Sequence, residues 1–283
     1  MPLLPLILLA AACGGIASAA FAIVLLWVRE EHSTRLLPHL VSFATGALLG
    51  ASLLALLPEA IEGAGAAGAH RLGLTLLVGL GAFFVLEKLV LWWHARAGDE
   101  RREDVDGPPG GDAPAAHHAH RHGGAGEAHP DARDRAAGTL VLVGDSLHNA
   151  LDGVLIAAAF LSSTSLGLVT TVAVAAHEVP HRVGDFAILV HAGLSRPRAL
   201  LLNLATGIAA VLGALIAYFG LREALGALPY ALAFAAAGFL YIAVAGLIPG
   251  LHRRTDARTS AVQVLLIVLG VAVIAAAERL AGT

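Results

Sequence analysis

The sequence predicts an all-α polytopic membrane protein with eight transmembrane helices. Of its 283 residues, 57% are hydrophobic and 14% are charged, and the mean hydropathy is +0.77, whereas soluble domains carry roughly 25% charged residues. The charges are also unevenly distributed, since 15 of the 39 Asp, Glu, Lys and Arg residues lie between His94 and Gly138. This distribution indicates apolar spans with one long polar loop, and it excludes an ordinary water-soluble globule.

The apolar spans can be located by length, because a helix of about 20 residues crosses roughly 30 Å of hydrocarbon. They lie at residues 3–28, 36–57, 72–93, 139–161, 166–190, 199–221, 224–251 and 260–280. The chain therefore divides into helices 1 to 3 (residues 1–95), a polar loop (96–138) and helices 4 to 8 (139–283).

The first span has a second interpretation as a cleaved signal. Ala17, Ser18 and Ala19 resemble a cleavage site, and Cys13 follows small residues as in a lipoprotein signal. No Lys or Arg precedes the apolar run, however, and the run is long enough to span, so a transmembrane helix is favoured.

The orientation follows from the basic residues in alternate loops. One set of loops holds thirteen Lys and Arg residues and the opposite set holds three. Because basic loops remain in the cytoplasm, the long loop is predicted to be cytoplasmic and both termini to lie outside. We expect a multi-pass protein of a plasma membrane, the inner membrane in a bacterium.

The long loop has almost no large apolar residues, so it is predicted to be disordered. It contains a cluster of histidines, which are His117, His118, His120, His122 and His129. Such a cluster can capture a divalent metal weakly, or it can be a solvated linker in which histidines happen to cluster.

Two neighbouring spans contain polar residues that are out of place in a membrane. The fourth span has Asp145, His148, Asn149 and Asp152, and the fifth has His177, Glu178, His181, Arg182 and Asp185. A charge at mid-membrane costs about 2.5–3.5 kcal/mol on insertion scales, so such groups normally line an interior path or pair with one another. The members of each pair, His148 with Asp152 and His177 with His181, are four residues apart and share a helix face. Packed antiparallel, the two faces would offer nitrogen and oxygen ligands that suit Zn²⁺, with Fe²⁺, Mn²⁺ and Co²⁺ also compatible.

Proline and glycine add structural expectations at the same place. Pro180 cannot donate a hydrogen bond to the carbonyl of Ala176, so it should kink the fifth helix beside the site. Gly153 and Gly184 are expected to permit close helix packing there.

These residues carry a family resemblance. His148, Asn149, Asp152 and Gly153 match the pattern HNxxDG, and residues 177–185 match HExPHxxGD. Together they resemble the fourth and fifth helices of the ZIP family of divalent metal transporters. The resemblance implies a ZIP-like bundle with a metal site between helices 4 and 5, and a variable His-rich cytoplasmic loop between helices 3 and 4.

The resemblance also implies roles for single residues. His148, Asp152, His177, Glu178 and His181 would be metal ligands, Asn149 would join a neighbouring second metal position, and Asp145 and Asp185 would be polar stations along the path. The implied function is uptake of a divalent ion, with Zn²⁺ expected and Cd²⁺ also compatible, by alternating access. The metal is the transported substrate, and no cofactor is expected.

Arg182 departs from the family pattern, because many members have Glu directly after the second histidine. This cation lies one turn from Glu178 and three residues from Asp185, so it can pair with either carboxylate. Its charge should weaken binding of a second metal, and we expect one well-defined transport site.

Two further polar residues are assigned to the path with an alternative for each. Glu59, beside Glu62 at the outer end of the second span, can attract cations at an entrance or be an ordinary exposed helix-end carboxylate. Asn203 in the sixth span can line the path or form an interhelical hydrogen bond.

The main competing function is an intramembrane metalloprotease, because His177, Glu178 and His181 also satisfy HExxH, and Leu151, Asp152 and Gly153 spell LDG. In those proteases LDG follows HExxH, whereas here it precedes it, so we expect no enzyme. A metal-sensing receptor is the third alternative. The partners expected are divalent metal ions and the lipid bilayer, with no nucleic acid. Small-residue helix faces permit a homodimer.

Overall fold

A computed structural model describes residues 3–27, 30–99, 132–252 and 256–281, and all regular structure in these ranges is helical. The α-helices are α1 (Leu3–Trp27), α2 (Glu30–Gly50), α3 (Leu57–Asp99), α4 (Ala132–Ser162), α5 (Thr164–His191), α6 (Arg196–Arg222), α7 (Leu228–Tyr241), α8 (Ile248–Leu251) and α9 (Ala257–Ala281). π-helical turns at Ala51–Leu56 and Ile242–Leu247 join α2 to α3 and α7 to α8, and a 3₁₀ turn at Leu225–Ala227 precedes α7.

Several helical stretches are long and apolar enough to cross a membrane. Within the described ranges there are five, which are Leu36–Leu89, Val141–Ser162, Arg196–Arg222, Leu225–Leu251 and Ala257–Leu280. The first passes through Gly65, whose φ of 63° and ψ of 177° interrupt the helical backbone in a conformation that glycine tolerates. The described part of the chain is therefore all-helical and has the apolar stretches of a multi-pass membrane protein, as predicted, whereas the number of eight crossings stays a prediction.

The helices next to the long loop extend beyond their predicted apolar spans. α3 continues to Asp99 and α4 begins at Ala132, inside the range assigned to the polar loop. Counting apolar residues locates only the part of a helix that crosses the hydrocarbon. A helix can continue past that part into water where its residues, such as Ala and Arg, favour helix. The five loop histidines lie outside the described residues.

Glycines set the closest helix contact beside the polar residues. A Cβ on Gly153 of α4 would lie 1.8 Å from the carbonyl oxygen of Ala210, and a Cβ on Gly213 of α6 would lie 1.9 Å from that of Ala150. The expected close approach at Gly153 is therefore present, with α6 as the partner. The same expectation for Gly184 was wrong, because nothing lies within 4 Å of a Cβ there.

α4 and α5 form an antiparallel hairpin that places the two polar segments side by side. Its turn is Ser163, whose hydroxyl accepts a hydrogen bond from the backbone N–H of Leu166 at 3.1 Å and so caps α5. α5 then continues through Pro180 to His191, packed against α1, α2, α4 and α6. His177, Glu178 and Arg182 of α5 are thus buried among these helices.

Candidate metal centre

Four side chains from α4 and α5 converge within the bundle. His148 and Asp152 of α4 and His177 and Glu178 of α5 each offer one ligand atom, and these four atoms all lie within 4.8 Å of one another. The Nε2 atoms of His148 and His177 are 3.1 Å apart, and Asp152 Oδ2 lies 3.7 Å from the first and 3.4 Å from the second. Glu178 Oε1 lies 3.9 Å from His148 Nε2. We call these four residues the first cluster.

Three of the four residues of the first cluster are buried, and two of them have acceptor atoms without hydrogen-bond partners in the described structure. Asp152, His177 and Glu178 are at most 3% exposed, and Asp152 Oδ2 and Glu178 Oε1 accept no hydrogen bond in the described structure. Buried carboxylates are normally paired, hydrogen-bonded or bound to a metal. Two imidazole nitrogens and two carboxylate oxygens within 4.8 Å of one another form a ligand set that suits Zn²⁺.

A neighbouring carbonyl orients one of these imidazoles. His177 Nδ1 lies 3.2 Å from the carbonyl oxygen of Ala173, one turn earlier in α5. If Nδ1 carries the proton and donates it there, Nε2 keeps a lone pair directed into the cluster, as in metal-binding histidines. Phe239 of α7 packs edge-on against the same ring, with centroids 6.1 Å apart.

His181 belongs to a different group from His177. Its ligand atom lies within 4.8 Å of those of Asp145 and Asp185, and its Nε2 is 4.0 Å from Asp185 Oδ2. The His181 side chain is 47% exposed, whereas Asp145 is 4% exposed and its Oδ2 has no hydrogen-bond partner in the described structure. We call these three residues the second cluster. It lies one helical turn farther from the Ser163 turn than the first cluster.

The two clusters are adjacent. The rings of His148 and His181 have centroids 5.0 Å apart, so the side chains of the two groups form a continuous polar column along α4 and α5. The ligand atoms of the five residues predicted to bind one ion therefore fall into two neighbouring groups, four in the first cluster and that of His181 in the second.

Arg182 lies beside the first cluster. The sequence allowed it to pair with Glu178 or with Asp185, and in the structure it pairs with Glu178. Its Nη2 lies 2.8 Å from Glu178 Oε2 and donates to Asn149 Oδ1 at 2.9 Å. Its Nη1 donates to the backbone carbonyl of Asn203 at 2.5 Å and to the side-chain Oδ1 of that residue at 3.1 Å. The arginine is 1% exposed.

The remaining predicted path residues have identifiable contacts. Asn149 donates from Nδ2 to Asp145 Oδ1 at 2.9 Å, which links the arginine to the second cluster. Asn203 makes the interhelical hydrogen bond that was its alternative assignment, since its Nδ2 donates to the carbonyl of Arg182 at 2.9 Å. Glu59 accepts a hydrogen bond from Ser162 where α3 begins and α4 ends.

Two contributors to this network were not found from the sequence. Ser18 accepts a hydrogen bond from Arg182 Nε at 3.0 Å, and Thr206 lies 3.4 Å from Arg182 Nη1. A hydroxyl in an apolar helix carries no sequence signal, because it can also bond to its own backbone, as Ser18 does to the carbonyl of Gly15 at 2.9 Å.

The fold and the first cluster together define a class: a multi-pass helical membrane protein with a group of His, Asp and Glu side chains inside the bundle that could hold a metal ion. A family model described as ZIP Zinc transporter matches residues 3–278. The chain therefore belongs to the ZIP family of zinc transporters.

Individual relatives agree with this membership. The chain is 35% identical over 274 residues to zinc transporter ZIP13 of Homo sapiens, covering 87% of this chain and 72% of that protein. It is 33% identical over 323 residues to zinc transporter SLC39A7 of Rattus norvegicus, with coverages of 91% and 69%, and 34% identical over 280 residues to the ZIP13 homolog of Drosophila melanogaster, with 87% and 79%. The family consists of metal transporters and not of enzymes, so the metalloprotease alternative is set aside.

Proposed function

We propose that this protein takes up Zn²⁺ into the cytoplasm by alternating access around the first cluster. The observation that carries the proposal is the convergence of His148, Asp152, His177 and Glu178, with ligand atoms within 4.8 Å of one another inside the bundle. Fe²⁺, Mn²⁺, Co²⁺ and Cd²⁺ are compatible with the same donors, and a competition assay ranks them.

The proposed topology has eight crossings, with both termini outside and the long loop in the cytoplasm. The 54 residues of Leu36–Leu89 support it, because that length of helix extends about 80 Å, against roughly 30 Å of hydrocarbon, and Gly65 allows a turn between two crossings. α5 is counted as a crossing because its 28 residues suffice and because Glu178 and Arg182 are each 1% exposed inside the bundle. The excess of basic residues in one set of loops supports this orientation, and a bacterial protein would lie in the inner membrane.

The second cluster is proposed as the position that receives the ion on its way to the cytoplasm. It lies on the side where α4 begins and α5 ends, which is the side of the long loop. The exposure of His181 supports this order, because an ion bound there is closer to water than one bound to His177. The loop histidines would collect or sense the released metal.

The movement is proposed to be a displacement of the ligand-bearing helices against the other helices, which opens the site to each side in turn. The α4–α6 contact through Gly153 and Gly213 supports a unit in which these two helices move together. A homodimer is compatible with the proposal but is not needed for it.

Metal flux into reconstituted vesicles tests the function. Purified protein in liposomes with an internal zinc-sensitive dye should show zinc entry, competed by the other divalent ions in order of preference. His177→Ala should reduce entry to the level of empty liposomes, while Glu223→Gln, at an exposed residue of the α6–α7 connection, should retain it. Zinc entry that is the same for His177→Ala and the parent would contradict the proposal.

A further inference from the structure

Oxygen atoms converge on the Arg182 guanidinium as they do on a bound metal ion. A carboxylate oxygen of Glu178, the amide oxygens of Asn149 and Asn203 and the backbone carbonyl of Asn203 all lie within 3.1 Å of its terminal nitrogens. Carboxylate, amide and carbonyl oxygens form an ordinary ligand set for a divalent cation. The guanidinium therefore lies where these oxygens would otherwise bind an ion.

The charges of the buried side chains agree with this assignment. Among the described residues, the buried charged side chains are Asp145, Asp152, Glu178 and Arg182. With the carboxylates ionised and the histidines neutral, this group has three negative charges and one positive charge. One divalent ion at the first cluster neutralises this group, and a second would leave an excess of positive charge in a medium of low dielectric constant, even when the part-buried carboxylate of Asp185 is added to the sum.

The guanidinium is fixed in place by helices on several sides. Ser18 of α1 accepts from Nε, Asn149 of α4 accepts from Nη2, and Asn203 of α6 accepts from Nη1. Gly15 of α1 and Gly207 of α6 flank the guanidinium. A Cβ on Gly15 would lie 3.6 Å from Nη2, and a Cβ on Gly207 would lie 3.4 Å from it. An arginine does not lose its proton in proteins, so this is a permanent charge in a fitted cavity.

Arg182 also determines how Glu178 faces the first cluster. The guanidinium holds Oε2 at 2.8 Å, and the other oxygen, Oε1, lies 3.9 Å from His148 Nε2. Glu178 therefore presents a single oxygen to the transported ion. Arg182 is in this respect a positioning residue, which acts on the ion through Glu178.

We propose that Arg182 is a built-in cation in the place of a second metal, so that the first cluster holds one ion at a time. The inference rests on the proposed function, because it concerns the occupancy of the same site. Arg182 would then set both the number of ions at the first cluster and the orientation of Glu178.

Metal stoichiometry in a charge-reversed variant tests this inference. Arg182→Glu replaces the guanidinium with a carboxylate among the same oxygens, so it should bind one more zinc ion per chain than the parent. Arg182→Lys keeps a cation and should bind the same number as the parent. Arg222→Glu makes the same charge change at a half-exposed residue that pairs with Glu223, and it should add no ion. Zinc per chain is measured by mass spectrometry on monodisperse protein dialysed against a fixed free zinc concentration.

The outcomes separate this inference from the proposed function. A monodisperse Arg182→Glu variant that binds no additional zinc overturns the inference while leaving transport intact. If His177→Ala binds as much zinc per chain as the parent, the proposed function itself is overturned.

A measurement on the parent protein covers the case in which Arg182→Glu does not fold. Mn²⁺ bound to the parent should give the paramagnetic resonance spectrum of isolated ions, lost in His177→Ala. The spectrum of an exchange-coupled pair that persists in His181→Ala, which lacks the nitrogen ligand of the second cluster, would show two ions at the first cluster and would overturn the inference.

Discussion

The Nε2 atoms of His148 and His177 lie 3.1 Å apart although 28 residues separate these histidines in the chain. They come from antiparallel helices joined by the turn at Ser163. Each has a carboxylate of the first cluster close to it on its own helix: Asp152 is one turn after His148, and Glu178 directly follows His177. Two nitrogen lone pairs at this separation repel each other unless a proton or a metal ion lies between them, which makes the pair a natural position for a transported cation.

Removing the charge of Asp152 should weaken zinc binding. Asp152→Asn keeps the shape of the side chain but removes the carboxylate 3.4 Å from His177 Nε2, and loss of even an outer-shell partner typically costs 10–100-fold in metal affinity. We expect the Kd for zinc, measured by titration calorimetry, to rise at least ~10-fold. Glu223→Gln is the control, and equal Kd values for both variants would count against Asp152 as a ligand.

His181→Ala should separate binding from passage of the ion. Because His181 lies with Asp145 and Asp185 and is 47% exposed, its loss should change the zinc Kd of the first cluster much less than His177→Ala does. Zinc entry into vesicles should nevertheless slow, since the second cluster, which is proposed to receive the ion, has lost its nitrogen ligand. If the two histidine variants weaken binding equally, His181 binds the same ion as His177.

Zinc binding should weaken as the pH falls. Histidine binds metal in its neutral form, and protons compete for the same nitrogen as the pH passes below about 6.5, the ordinary pKa of the residue. The protonated form is favoured at low pH, so the apparent Kd should rise in that direction and proton release should accompany binding at neutral pH. Calorimetry in buffers of different ionisation enthalpy measures that release, and a Kd that is flat from acidic to neutral pH would argue against imidazole ligands.

A methyl group at Gly213 should disrupt the bundle. Gly213→Ala places a Cβ 1.9 Å from the carbonyl oxygen of Ala150, and overpacking of this kind costs typically 1–3 kcal/mol. We expect a lower midpoint of thermal unfolding in detergent. Gly184→Ala, where nothing lies within 4 Å of the added Cβ, is the control and should match or exceed the parent, because alanine favours a helix over glycine by about 1 kcal/mol.

The His-rich segment should be dispensable for passage through the membrane. Deletion of residues 116–129 removes the five loop histidines but none of the residues of either cluster, so zinc entry should persist at a similar maximal rate. The vesicle assay measures that rate directly. Complete loss of entry in a monodisperse deletion variant would mean that the loop takes part in transport.

The sequence by itself determined the class of the protein and the helices that carry its site. Apolar spans are recognisable because hydrocarbon demands about 20 residues of one chemical kind, and Asp152 and Glu178 are conspicuous because charges are costly there. The motifs around His148 and His177 then indicated the family, which the match of residues 3–278 to the ZIP family model confirms.

Only the tertiary structure decided which polar residues share a position. His177 and His181 lie on one helix face, but four residues advance about 6 Å along the axis, so facing the same way did not place their ligand atoms in the same group of potential metal ligands. Arg182 had two carboxylates within reach along its helix. Its partner was selected by Ser18, Asn149 and Asn203 of three other helices, because hydrogen-bond geometry across helices depends on how they pack and not on spacing along one of them.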